Sequence, residues 1–282
     1  MEDFEQALGE LTPAFGAPIK ALKALAPHGL FHHSPAFEQL LATCRLQYRQ
    51  VRDGSSTPVL SALLYGGPGT GKSALAATLG LECGYPLVRL VTADALVGRS
   101  SHDVSAALVA AFNEAYASSA SMIIVDDLER IVGYSRAGRV FDNGVLQTLL
   151  VLLRRRPPNG RKLMVICTSS MPDAMEYLEI DTAITTRHQV PPMSRPAAEA
   201  LLGHMGVLPG PEERVAAVAQ LPAEIAVKHV IMLCKMAGQR SGIAGRLYLG
   251  LKVSSEAPPA AGFNAARHAR PIMLDHYNNL SV

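Results

Sequence analysis

Several features that would assign this 282-residue sequence to other classes of protein are missing or scarce. It contains no tryptophan, its net charge is only +2, and neither terminus carries the basic run of a nucleic-acid-binding tail. No apolar run approaches the roughly 20 residues that cross a bilayer, and the acidic N-terminus lacks the layout of a signal peptide. We therefore expect no nucleic-acid partner and no direct membrane insertion.

Cysteine is also scarce, and its spacing does not suit a metal site. The four cysteines lie far apart, which favours reduced thiols in a cytosolic protein over disulfides or zinc ligands: Cys44, Cys83, Cys167 and Cys234. Among the histidines only His28 and His32 are four residues apart, and the neighbouring Pro27 and Gly29 argue against a helix that would join them. The sequence predicts no transition-metal site.

Apolar segments of strand and helix character alternate through the middle of the chain. Strands are predicted at 59–65, 87–91, 121–125, 162–168 and 188–190, and helices at 72–81, 104–116 and 145–153. This alternation predicts an α/β fold, a doubly wound parallel sheet with helices on both faces. Ligands of such sheets bind beyond the carboxyl ends of the strands.

The alternation of strands and helices is absent on either side of this region, and this change of pattern divides the chain into four segments. Residues 1–55 are predicted to be a helical and linker segment, and residues 56–192 an αβα core. Helices predicted at 196–205, 211–220 and 223–236 would form a small all-α lid across residues 193–240. Residues 241–282 include a Ser-, Pro- and Ala-rich stretch typical of a flexible linker, and their role stays open.

A glycine-rich stretch lies between the first predicted core strand and the helix that follows it. Such a turn directs several backbone N–H groups at the positive end of the helix dipole, which suits a polyphosphate. Lys72 would contact the β- and γ-phosphates, and the Ser73 hydroxyl would bind Mg²⁺. The predicted nucleotide-binding residues here are Gly67, Pro68, Gly69, Thr70, Gly71, Lys72, Ser73 and Ala74.

A second motif follows one strand and one helix later, where four apolar residues precede Asp126 and Asp127. Asp126 would hold Mg²⁺, and Asp127 would orient or activate the attacking water. A buried strand that ends in two acids is by itself often only a solvated strand terminus. Together with the glycine-rich loop, however, it predicts a P-loop nucleoside triphosphatase.

Further stretches carry a resemblance to a known family. Besides the two nucleotide motifs, residues 11–16, 125–130, 145–153 and 160–163 are similar to the second ATPase domain of the N-ethylmaleimide-sensitive fusion protein family, the vesicle-fusing AAA+ ATPases. The resemblance covers about residues 2–238. It implies an AAA+ fold, ATP and Mg²⁺ as cofactors, and a homohexamer with nucleotide at its interfaces. Implied partners are SNAP-type adaptors and SNARE complexes, bound through the full machine in the cytoplasm, peripheral to vesicle and Golgi membranes.

The resemblance also implies roles for residues outside the two motifs. Ser170 matches the position that helps to place the attacking water, and Lys228 matches the lid cation that contacts the γ-phosphate. From the residues alone, a strand-end hydroxyl and a solvated helix lysine would be the more ordinary interpretations. Residues 30–33 could form part of the adenine pocket.

Three departures from the family pattern bear on turnover. Asp127 is one methylene shorter than the usual glutamate, residues 178–186 contain no arginine that could reach a neighbouring subunit, and residues 98–100 contain no aromatic side chain for a substrate-gripping pore loop. These departures predict a module that retains ATP and hydrolyses it slowly. The alternatives are an independently active AAA+ remodelling ATPase and, less in keeping with the charge, a nucleic-acid-linked AAA+ protein.

Overall fold

The computed structural model describes residues 19–54, 57–206 and 210–238, which divide into two compact units after Met193. Residues 1–18 of the predicted N-terminal segment and the tail at 241–282 lie outside the described residues. Within the described ranges no helix is long and apolar enough to cross a membrane.

The first unit is built on a five-stranded parallel sheet, which confirms the predicted fold class. The strands are β1 (Val59–Tyr65), β2 (Leu87–Thr92), β3 (Ala120–Asp126), β4 (Lys162–Ser169) and β5 (Thr186–Gln189), in the order β2-β3-β4-β1-β5. The register pairs Tyr65 with Ser169 and Val125 with Cys167, so the carboxyl ends of β1, β3 and β4 lie at one edge. Parallel pairing therefore brings together residues that are far apart in sequence.

Helices of the first unit connect the strands and cover both faces of the sheet. They are α1 (Ile19–Leu25), α2 (Pro35–Asp53), α3 (Lys72–Glu82), α4 (Ser101–Ala117), α5 (Leu128–Ile131), α6 (Asn143–Arg154), α7 (Pro172–Tyr177) and α8 (Ile180–Ala183). A 3₁₀ turn at Asp94–Leu96 precedes α4. Side-chain caps begin three of these helices: Ser34, Ser100 and Asp142 each accept a hydrogen bond from the backbone N–H three residues later, in α2, α4 and α6.

Two apolar cores result from the alternation of side chains along the strands. Leu63, Ile123 and Val165 point to the face that is covered by α4 and α6. Leu64, Ile124 and Ile166 point to the opposite face, which is covered by α1, α2 and α3. Since both faces are buried, the strands read as continuous apolar runs, which is why the sequence revealed them.

The second unit contains the helices α9 (Arg195–His204), α10 (Pro211–Ala219) and α11 (Val227–Gly238). The third helix was predicted to begin at 223, and that boundary is wrong, because Ile225 forms a β-bridge and is extended, so the helix begins only at Val227. The Arg195 guanidinium donates to the Leu221 carbonyl from Nε at 3.0 Å and from Nη2 at 2.7 Å, which ties α9 to the turn after α10.

Candidate functional site

The glycine-rich loop connects β1 to α3 and needs glycine for its conformation. Gly69 and Gly71 have φ angles of 76° and 99°, which side chains rarely adopt. Gly66 has a φ of 152°, and a Cβ built on it would lie 2.7 Å from the Val190 carbonyl oxygen. The loop therefore lies against the end of β5, and Gly71 precedes the N-terminus of α3 without a side-chain cap. Uncapped backbone N–H groups at a helix N-terminus suit an anion.

Lys72 is the buried cation of this site, with only 5% of the residue exposed. Its Nζ donates to the carbonyl oxygens of Gly66 at 3.0 Å and Gly67 at 2.7 Å. Burial lowers its pKa, and the carboxylates of Glu129, Asp127 and Asp126 partly offset that effect. The ammonium is thus held by weak neutral acceptors at the loop, where a phosphate would be a stronger partner.

Asp126 ends β3 and joins this loop to the neighbouring strand β4. The residue is 7% exposed, and its carboxylate hydrogen-bonds to the Ser73 side chain and accepts a hydrogen bond from Thr168 Oγ1 at 2.8 Å. Burial raises the pKa of Asp126, and the bonds from Ser73 and Thr168 oppose the shift. The structure therefore brings together the two predicted magnesium-binding residues, and a hydroxyl beside a carboxylate is a hard oxygen donor set that suits Mg²⁺.

Asp127 has a left-handed backbone, with φ 59° and ψ 62°, at the turn between β3 and α5. Its N–H donates to Thr168 Oγ1 at 2.9 Å, so the Thr168 hydroxyl links the backbone of Asp127 to the carboxylate of Asp126. The Asp127 side chain is part-exposed, and its Oδ2 lies 3.8 Å from Nε of Arg130. A left-handed aspartate is uncommon, and residues of this kind cluster at functional sites.

Sequence reasoning missed two residues of this site, Thr168 and Glu129. Glu129, on α5, is 4% exposed, and its Oε1 accepts a hydrogen bond from the Ser170 N–H at 2.9 Å. The available signals were weak: a hydroxyl residue near the end of an apolar strand, and a third acid shortly after Asp126 and Asp127. Neither signal indicates which of these side chains points into the site.

The remaining predicted residues occupy different surroundings. Ser170 follows β4 and is half-buried, next to the Asp126 edge of the sheet. Lys228 lies in the first turn of α11 in the second unit with an exposed side chain, and its contact with nucleotide stays a prediction. Arg187 lies within β5, where Nη1 donates to Asp181 Oδ2 at 2.8 Å.

The segment predicted to contribute to the adenine pocket contains a buried histidine. His33 packs its ring 4.6 Å from that of Phe37, and burial together with the charge of His32 lowers its pKa. Neither ring nitrogen of His33 has a partner among the described residues. A buried neutral imidazole of this kind could bond a heterocycle, and the adenine role stays a prediction.

Comparison with known proteins agrees with this geometry. Residues 62–191 match the model of the ATPase family associated with various cellular activities (AAA). The matched range includes the glycine-rich loop, both aspartates and the end of β4.

Similarity to individual proteins extends beyond that range. The chain is 34% identical to the vesicle-fusing ATPase of Dictyostelium discoideum over 242 residues, which is 86% of this chain and 32% of that protein. It is 34% identical to the vesicle-fusing ATPase of Arabidopsis thaliana over 252 residues, 89% of this chain and 34% of that protein. The vesicular-fusion protein SEC18 of Saccharomyces cerevisiae is 34% identical over 193 residues, 68% of this chain and 26% of that protein. The chain thus spans about a third of the length of these relatives.

Proposed function

We propose that this chain binds Mg·ATP and uses it to hold together the homohexamer of a SNARE-disassembling ATPase, a proposal supported by the match of residues 62–191 to the AAA family. The observation that carries the nucleotide-binding part is the meeting of Lys72, Ser73 and Asp126 at the carboxyl edge of the sheet. The part concerning vesicle fusion rests on the relatives, which are named as vesicle-fusing ATPases.

The charges around the loop favour ATP together with its metal. Three carboxylates, Asp126, Asp127 and Glu129, act on the one ammonium of Lys72, so free ATP would meet excess negative charge. Mg²⁺, when bound, neutralises phosphate charge and orients the phosphates. We assign Ser73 and Asp126 as its holders, and Lys72 with the N–H groups of the loop as the phosphate contacts. Lys228 is proposed as the lid cation.

We propose slow hydrolysis because of the length and the ion-pair partners of the side chains that would catalyse it. Asp127 and Ser170 are assigned to the attacking water, yet the Asp127 carboxylate is short and lies beside Arg130. Arg187, the arginine nearest in sequence to residues 178–186, is paired with Asp181. A transition-state arginine contributes about 10³–10⁵ in rate to related phosphoryl transfer, so a site without one would retain ATP.

The vesicle-fusion role implies partners that the chain would meet only as part of a larger assembly. We propose SNAP-type adaptors and SNARE complexes as those partners, and a cytoplasmic location peripheral to vesicle and Golgi membranes. A hexamer with nucleotide at its subunit interfaces would couple ATP retention to assembly, since a ligand that binds only the assembled state stabilises that state.

Sizing coupled to light scattering tests the assembly role. With millimolar Mg·ATP we expect a mass about six times that of the chain, and with EDTA and no nucleotide we expect smaller species. ADP in place of ATP reports whether the γ-phosphate is needed. A mass equal to one chain under every condition would refute the assembly role.

Single-turnover hydrolysis separates the proposed scaffold from an independently active ATPase, the alternative that the complete phosphate loop favours. We expect slow turnover of the parent chain, below the ~1 s⁻¹ at the low end of typical enzymes. Asp127→Asn should lower it by a further factor of about 10² or more, because the amide cannot accept the proton of the attacking water. Rapid turnover by the parent would favour the active remodelling ATPase.

A further inference from the structure

Glu129 presents one satisfied and one unsatisfied carboxylate oxygen inside the fold. Oε1 accepts the hydrogen bond from the Ser170 N–H at 2.9 Å, which ties α5 to the end of β4. Oε2 is buried and has no hydrogen-bond donor among the described residues. The whole residue is 4% exposed, so solvent at the surface does not substitute for that donor.

A buried carboxylate oxygen without a donor is unfavourable, and side chains rotate away from such positions when they can. Here the bond to Ser170 holds the carboxylate in place. A fold can retain a buried acceptor without a hydrogen-bond donor when a ligand supplies that donor on binding. Oε1 of Glu129 therefore has a partner within the fold, whereas Oε2 is left to accept a hydrogen bond from a bound ligand.

The position of Glu129 indicates what that ligand brings. Among the three carboxylates that favour the charged form of Lys72, the Glu129 carboxylate has the largest effect on the pKa of that lysine. Its other neighbour, Ser170, follows the strand that pairs with β3 and β1 at the phosphate-loop edge. Oε2 thus belongs to the nucleotide site. An anionic oxygen accepts hydrogen bonds and repels phosphate oxygens, so its partner is a donor such as water.

We propose that Glu129 Oε2 accepts a hydrogen bond from a water molecule that is held beside the γ-phosphate when Mg·ATP binds. This inference rests on the proposed nucleotide binding. The water comes from one of two sources, the coordination shell of Mg²⁺ or the water that attacks the phosphate. In either case Glu129 fixes the backbone of Ser170 with one oxygen and the water with the other. The single oxygen of a glutamine amide would be enough to hold Ser170, and the carboxylate adds a second acceptor oxygen.

Glu129→Gln in the full chain tests the assignment, because the amide oxygen keeps an acceptor for Ser170 while the second acceptor is lost. Glu176→Gln, an exposed glutamate on α7, is the matched control. If the water is on the metal, the Mg²⁺ concentration for half-maximal binding of a fluorescent ATP analogue should rise about 10–100-fold, as for other partners of metal-bound groups. If it is the attacking water, the single-turnover rate should fall about tenfold or more at unchanged affinity.

Parent-like values of the glutamine variant in both readouts would overturn the assignment and leave the proposed function standing. A parent chain that does not bind ATP in a Lys72-dependent manner would overturn both together. Should the glutamine variant lose its circular-dichroism signal for folding, Glu129→Asp replaces it. The aspartate keeps the negative charge but lies one methylene further from the position of Oε2. Parent-like metal dependence and rate of this variant would again overturn the assignment.

Discussion

Replacing Lys72 by alanine is expected to weaken the binding of Mg·ATP by about 10–150-fold for each phosphate hydrogen bond that is lost. Hydrogen bonds to charged groups contribute about 1.5–3 kcal/mol each, and the buried Nζ at the loop can make more than one. Titration calorimetry with Mg·ATP measures the loss. Lys23→Ala, at an exposed position of α1, is the control and should bind as the parent does.

The loss of binding should not come from unfolding. Burial lowers the pKa of Lys72, so the folded protein holds its charged form at a cost in stability. Without nucleotide, Lys72→Ala removes this cost but leaves the Gly66 and Gly67 carbonyls without their donor, so the two effects oppose each other and we expect a urea midpoint close to that of the parent. An alanine variant that binds Mg·ATP as tightly as the parent would mean that the loop is not the phosphate site.

Thr168→Val is expected to lower the free energy of unfolding by ~2–4 kcal/mol. The Thr168 hydroxyl donates to Asp126 Oδ1 and accepts from the Asp127 N–H, and the residue is fully buried. Valine has nearly the same shape but leaves both partners without this bond, at a cost of about 1–3 kcal/mol for each unsatisfied group. The expected loss of stability is smaller than the sum for two fully unsatisfied groups, because Asp126 keeps its hydrogen bond to Ser73.

Thr168→Ser is the matched control, since it restores the hydroxyl and removes only a methyl group, for which we expect a loss of about 1 kcal/mol. Urea unfolding of both variants without nucleotide gives the comparison. Mg·ATP affinity should follow the same order, because Thr168 positions the carboxylate assigned to the metal. Equal stability of the valine and serine variants would show that the bridging hydroxyl does not support the site.

Sequence predictions were correct where the interacting residues are neighbours in the chain, and they failed where the contacts join distant residues. The glycine-rich loop was predictable because its parts are consecutive: a buried strand, glycines that allow positive φ, and a helix. Asp126 was predictable because four consecutive apolar residues of a strand precede it. The helix expected from 223 begins instead at Val227, because Ile225 is held extended in a β-bridge, which the helical periodicity of residues 223–236 does not signal.

The sequence by itself thus determined the doubly wound α/β class and the phosphate loop, since periodicity and backbone freedom are local properties of the chain. Only the tertiary structure decided the strand order β2-β3-β4-β1-β5 and, through it, which side chains face the loop. Thr168 and Glu129 belong to the site because β4 lies between β1 and β3 and because α5 turns its glutamate inward. Such contacts join residues about 40 positions apart, and no local pattern encodes which buried polar groups will find one another.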